Sequence, residues 1–189
     1  MRLKFVCASL LALCGSLAQA EPGQWAFTYT GFYSEQEAAF LPQHTLSGSF
    51  AGEDGNRDGL LERAELSSLK IGLVDYISCE TTEFHTCGTE QFQFALPGAG
   101  LAAAAAPALT FKLGFSSHDP EWFLGAGRAI TTGLSDYSYM RDPSKFVEAT
   151  YSWRPQTLLS VAAVPEPASW AMFGAGTLVL LGAARRRRG

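Results

Sequence analysis

The sequence predicts a mainly β protein: an antiparallel β-sandwich with one short helix, carried between an N-terminal signal helix and a single C-terminal transmembrane helix. Three observations lead there. Seven to ten short segments of the body alternate apolar and polar residues with a period of two, the mark of half-buried strands. Gly, Pro and Asp turns separate them, and no repeat of fixed length is visible. Uncharged apolar runs stand at both ends, where a folded body does not place them.

The chain divides into residues 1–20, 21–163 and 164–189. Arg2 and Lys4 give the start a positive charge, residues 5–17 are apolar, and Ala18-Gln19-Ala20 is a small-x-small cleavage site for signal peptidase. The exported body begins at Glu21. Cys14 follows Leu13, not a small residue, which speaks against a lipoprotein. Cys7 and Cys14 leave with the leader, so Cys79 and Cys87 are the body's two cysteines. In an oxidising compartment they are expected to form a disulfide. A metal reading of Cys79, His85 and Cys87 lacks a fourth ligand and the usual zinc spacing.

Residues 24–34 place Trp25, Phe27 and Tyr29 on one face and Ala26, Thr28 and Thr30 on the other, a strand. Residues 35–41 turn from polar to apolar and end at Pro42. Residues 45–50 alternate again, with Leu46, Gly48 and Phe50 together.

Next comes the body's strongest chemical motif. Asp54-Gly55-Asn56-Arg57-Asp58-Gly59, five residues, then Glu65 fits the calcium-loop pattern D-x-[DN]-x-[DN]-G-x5-E. Calcium is a hard cation that takes six to eight oxygens. Asp54, Asn56 and Asp58 would supply side-chain oxygens and Leu60 its carbonyl. Glu62 would act through water and Glu65 would bind through both oxygens, with Gly59 making the sharp turn. Leu61 is the expected anchor into the core. Residues 62–70 read as the short exiting helix, while Gly48 and Gly52 make the approach a strand. The loop resembles the helix-less calcium loops of extracellular bacterial proteins, and half of a dockerin. A dockerin carries two copies, so cohesin binding is not implied. Such sites bind at about 10⁻⁴ to 10⁻³ M, which suits a structural role outside the cell.

Residues 71–78 read as a strand leading to the cysteine loop, and 91–96 as its partner or neighbour. Residues 97–107 are a Gly/Ala-rich surface loop. Residues 109–115, 122–132, 137–140, 146–153 and 158–163 are further strand candidates.

The last residues, 164–189, carry three signals in order. Pro165-Glu166-Pro167 breaks the chain into an extended, accessible segment. Residues 170–184 are uncharged and would span about 22 Å as a helix, against a hydrocarbon core of about 30 Å. Starting the span at 168 narrows the gap. Arg185, Arg186, Arg187 and Arg188 should remain cytoplasmic under the positive-inside rule.

This tail resembles the PEP-CTERM sorting signal of Gram-negative bacteria, also known as the "ice-binding protein C-terminal" domain, a label that implies no ice binding. The resemblance implies recognition by exosortase, a membrane-embedded cysteine transpeptidase, and cleavage near the Pro-Glu-Pro. It implies a transient single-pass membrane form with its C-terminus in the cytoplasm, then a cell-surface or extracellular protein. Exosortase systems accompany exopolysaccharide production, so matrix association is expected. Proteins with this tail have unlike bodies, so it implies sorting and no activity.

The formal charge of −4 conceals an acidic body. Residues 21–164 hold eight Lys/Arg against seventeen Asp/Glu, a charge of −9, which argues against nucleic acid as a partner and is compatible with binding cations. No convincing catalytic constellation is visible. Ser116, Ser117, His118 and Asp119 are adjacent, whereas a triad assembles from separate elements. Glu121 and Asp136 stand beside aromatics, as glycosidase carboxylates can, but so do ordinary turn residues. The expectation is a non-enzymatic surface or matrix protein stabilised by Ca2+. The alternatives are a carbohydrate-binding module using Trp25, Tyr29, Trp122, Tyr137 or Trp153, and a secreted hydrolase.

Overall fold

The computed structural model describes residues 23–97 and 109–164. The strands are β1 (Gly23–Ser34), β2 (Ala39–Gly52), β3 (Leu60–Glu62), β4 (Leu66–Ile71), β5 (Val74–Asp75) and β6 (His85–Ala95). They continue with β7 (Leu109–Asp119), β8 (Leu124–Thr131), β9 (Ser135–Asp142), β10 (Lys145–Ser152) and β11 (Leu158–Ala163). All pair antiparallel in one eleven-stranded sheet ordered β3-β6-β7-β8-β9-β10-β1-β2-β4-β5, with β11 on β1. β1 is the junction: its Trp25–Thr30 stretch pairs with β11, while Tyr33 and Ser34 pair with β10.

The mainly β, antiparallel expectation holds, and one continuous sheet supplies both faces of the core. Phe50 of β2 meets Phe92 and Phe94 of β6 at ring distances of 5.1 and 5.0 Å. Phe27 of β1 meets Phe111 of β7 at 5.4 Å. These strands are not neighbours along the sheet, so the sheet folds over and encloses an aromatic core. The Tyr29 hydroxyl donates to the Leu109 carbonyl across that core at 2.5 Å. Burial pushes its phenol above the ordinary tyrosine pKa.

Register shifts at three places help the sheet to bend. In β1 the shift falls between Thr30 and Phe32, where Gly31 takes a φ of +86°. A side chain is disfavoured at such a φ, which suits glycine. Gly31 alone faces residues 42–44 of β2, so the surplus lies on β2, and the inward face of β1 moves from Trp25, Phe27 and Tyr29 to Phe32 and Ser34. Pro42 is one of those unpaired β2 residues, and β2 runs through it instead of ending there. β4 pairs with β2 only from Gly48 to Gly52, so the missing proline N–H breaks no bond on that edge.

The helix expected over 62–70 is corrected. Arg63–Glu65 makes a single 3-10 turn, and β4 follows at once. Leu66, Leu69 and Ile71 are buried. A register shift between Ala51 and Gly52 of β2 leaves Ser67 as the extra residue on β4. That bulge puts Leu66 and Leu69, three apart, on one face of a strand. The strand expected over 71–78 is also shorter. Gly72 adopts a φ of +61°, and the Asp75 carboxylate accepts the N–H groups of Leu69 and Ile77, so the chain doubles back as the β4–β5 hairpin.

Among the described residues no helix is long and apolar enough to cross a membrane. The expected signal helix at 1–20 and the expected span at 168–184 lie outside the described residues.

Candidate functional site

The acidic loop between β2 and β3 is closed at its base by the Glu53 N–H on the Glu65 carbonyl, 3.2 Å. Leu61 is fully buried, the anchor expected of it, and the Leu96 N–H on the Gly59 carbonyl ties the loop to β6. The side-chain oxygens bond mostly to the loop's own backbone. Asp54 accepts from Asp58 and Gly59 at 3.2 and 2.9 Å. Asn56 accepts from the Asp58 N–H, and Asp58 accepts from Leu60 at 2.8 Å. Glu65 accepts from Gly55 and, with its other oxygen, from Glu62.

Asp54, Asn56, Asp58, Leu60, Glu62 and Glu65 are thus gathered in one loop with oxygen donors of the type a hard cation takes. Among the described residues, however, no three His, Cys, Asp or Glu side chains close on one metal-sized point. The donor types fit calcium; the present arrangement is a self-bonded turn.

The second element is covalent. Cys79 and Cys87 are joined, with Cα atoms 5.9 Å apart, which removes both from any metal reading. The bond fastens the segment after β5 to the start of β6, and the Thr81 hydroxyl bridges the Cys87 carbonyl and N–H. The cysteines are eight residues apart, a short loop. Chain-entropy reasoning gives Cys79→Ser/Cys87→Ser a stability loss of about 2–3 kcal/mol. Urea unfolding of the oxidised protein against the double variant measures it, and reduction of the wild type should reproduce the loss.

The hydrolase candidates do not assemble. Ser116 to Asp119 run along β7, so consecutive side chains point to opposite faces. Asp119 Oδ1 accepts the N–H groups of Glu121 and Trp122 and shapes the turn. Asp136 is 3% exposed and grips Arg128 through two bonds, to Nε at 2.8 Å and Nη2 at 2.6 Å. Bonding to Asp136 holds the Arg128 guanidinium above its usual pKa. This buried pair was missed in the sequence, where eight residues separate two ordinary charges.

The five candidate sugar-stacking aromatics divide. Trp25 stacks on Phe50 at 5.3 Å, Tyr29 is buried, and Trp153 stands edge-on to Phe32 at 4.8 Å. Trp122 is exposed in the β7–β8 turn, and Tyr137 lies on the outward face of β9. Ala18, Ala20, Pro165, Glu166, Pro167 and the four terminal arginines lie outside the described residues.

What the structure shows of the tail is its attachment. Ala163 pairs with Trp25, and the Val164 N–H donates to the Gln24 carbonyl at 2.8 Å. The body's final strand therefore runs directly into Pro165. Residues 163–188 match the PEP-CTERM protein-sorting motif. No curated protein and no solved structure matches the chain. The PEP-CTERM motif marks the chain for processing by exosortase and for export to the cell surface or extracellular space. The match starts where β11 ends, so it covers the tail and leaves the β body outside it.

Proposed function

We propose that this is a non-enzymatic cell-surface or extracellular-matrix protein, placed there by exosortase after its PEP-CTERM tail has held it transiently in the inner membrane. The observation that carries this reading is the motif at 163–188. In this reading the span at 168–184 crosses once, with Arg185 to Arg188 on the cytoplasmic side. The hydrogen-bonded end of β11 supports it, because cutting at Pro165 to Pro167 would leave every strand of the sheet intact. The ties on Asp119 and Asp136 favour a non-catalytic body.

Sorting is tested by expressing the chain in paired strains with and without exosortase. With the enzyme, mass spectrometry should find the mature protein ending near Pro165. Without it, the protein should stay membrane-bound with its tail. Release of a protein ending near Pro165 from the strain lacking exosortase would contradict the reading.

Calcium is proposed as a structural stabiliser of the 54–65 loop, and exopolysaccharide as the surrounding matrix. The donor set supports the first. Binding would require Asp54, Asp58 and Glu65 to exchange part of their backbone bonds for the cation. With a dissociation constant of about 0.1–1 mM, 10 mM calcium should add about 1.4–2.7 kcal/mol of stability. Thermal unfolding with calcium and with EDTA measures it, and Asp54→Ala/Glu65→Ala should abolish the gain. An unmoved transition in the wild type would leave the loop a plain turn.

A further inference from the structure

The outward face of β7 to β10 holds a second feature, set by strand register. Ser116, Gly127, Tyr139 and Glu148 form one row across four strands. Gly114, Ala129, Tyr137 and Thr150 form the next. Directly paired residues project to the same side, here the side opposite Arg128, Ile130 and Asp136. Gly127 is what makes this face flat. A Cβ there would collide with the Tyr139 ring and lie 2.8 Å from its Cζ. Without that Cβ the ring can lie down on β8.

The neighbouring rings follow its plane. Tyr137 and Phe146 make angles of only 33° and 27° with Tyr139, at centroid distances of 6.1 and 6.2 Å. Phe146 is 57% exposed, so the strip is open to solvent. Beside it lies a shallow hollow of about 410 Å³ over Gly88, Gly114 and Ala129, walled by Thr81, Thr86 and Ser116. The rim is polar: Thr86 Oγ1 and Ser116 Oγ are 2.8 Å apart, and the Tyr137 hydroxyl donates to Glu148 at 3.3 Å.

We propose that this face is a binding platform for a neutral polysaccharide. Pyranose rings stack their C–H faces on Tyr137, Tyr139 and Phe146, and their hydroxyls bond to Ser116, Thr86 and Glu148. Aromatic side chains that offer a flat apolar face beside hydrogen-bonding groups match a sugar, which is apolar on its faces and polar round its edge. Within the strip Glu148, opposite Tyr139, is offset by Arg141, opposite Phe146, so it is the body's charge of −9 that disfavours uronate, sulfate and phosphate chains. The proposal gives the matrix reading a partner class and a site. Its failure would leave sorting untouched, since sorting is read from the mature C-terminus.

The test is native affinity electrophoresis of the full chain, purified in mild detergent, through gels containing hydroxyethylcellulose, galactomannan or alginate. Retardation by at least one neutral polymer and none by alginate is expected. Tyr139→Ala and Phe146→Ala should each weaken it about tenfold, and Tyr139→Phe should stay within about threefold of wild type. Val147→Ser, on the opposite face, should change nothing, and Phe146 is exposed enough to replace without unfolding. No retardation in either neutral gel, preference for alginate, or retardation indifferent to both alanine variants would overturn the proposal. So would a dimer in size exclusion that Phe146→Ala dissolves, since the face would then serve a protein partner.

Discussion

Asp136→Ala should lower the unfolding free energy by about 3–5 kcal/mol, among the largest losses any single surface-facing or core substitution produces here. The reason is the charge left behind. Arg128 reaches into the sheet to meet Asp136, whose side chain is 5% exposed against 29% for the arginine. Removing the carboxylate leaves a guanidinium half-withdrawn from water with no anion to face. Arg128→Met/Asp136→Leu, which removes both charges, should recover most of the loss or exceed wild type, because desolvating two ions offsets their attraction. Urea unfolding of both variants separates the outcomes. Equal losses in the single and double variants would mean that the pair itself, and not an abandoned charge, carries the stability. The same measurement bears on function, since a carboxylate held for structure is not one held for hydrolysis.

How much of this was legible depends on the kind of signal. Alternation located β1 and the bounds of β11 at 158–163, because each strand faces core on one side and solvent or rim on the other. It failed wherever a bulge shifts the phase. Leu66 and Leu69, three apart, imitate a helix face, and only the pairing of Gly52 with Leu66 and Ala51 with Ser68 shows that Ser67 is the extra residue. No single-strand pattern contains that information, because the bulge is a relation between two strands. Pro42 misled for the same reason: its cost depends on whether a neighbour needs its N–H.

The candidate sites divide likewise. Cysteine arithmetic found the Cys79–Cys87 bond, since an exported body with two cysteines has one pairing. The tail motif was legible because its signals are contiguous. The Arg128–Asp136 pair and the aromatic strip were not. Each is assembled by register between β8, β9 and β10, although Tyr137 and Tyr139 already alternate in the sequence with Asp136 and Ser138. The acidic loop shows the opposite case. Its residues are contiguous and its pattern complete, yet the oxygens turn to backbone N–H groups.

The folded-over sheet makes its own demand, which Phe50→Ala addresses. Phe50 is fully buried and lies within 5.3 Å, centroid to centroid, of Trp25, Phe92 and Phe94. It is the ring through which β2 touches β6, at nearly opposite ends of the hydrogen-bonded path. Phe→Ala in such a place costs about 3–5 kcal/mol, as lost burial and an unfilled cavity add. Phe50→Leu keeps most of the volume and should cost about 1–1.5 kcal/mol. Phe146→Ala, on the exposed strip, should stay within about 0.5 kcal/mol of wild type. The contrast isolates the packing between the two halves of the sheet from the backbone ladder, which all three variants retain. Tryptophan fluorescence gives an independent reading, because Trp25 stacks on Phe50 and should lose that cover only in the Phe50 variants. A Phe50→Ala protein as stable as Phe146→Ala would mean that the two halves do not pack through this ring, and the enclosed core would have to be redrawn.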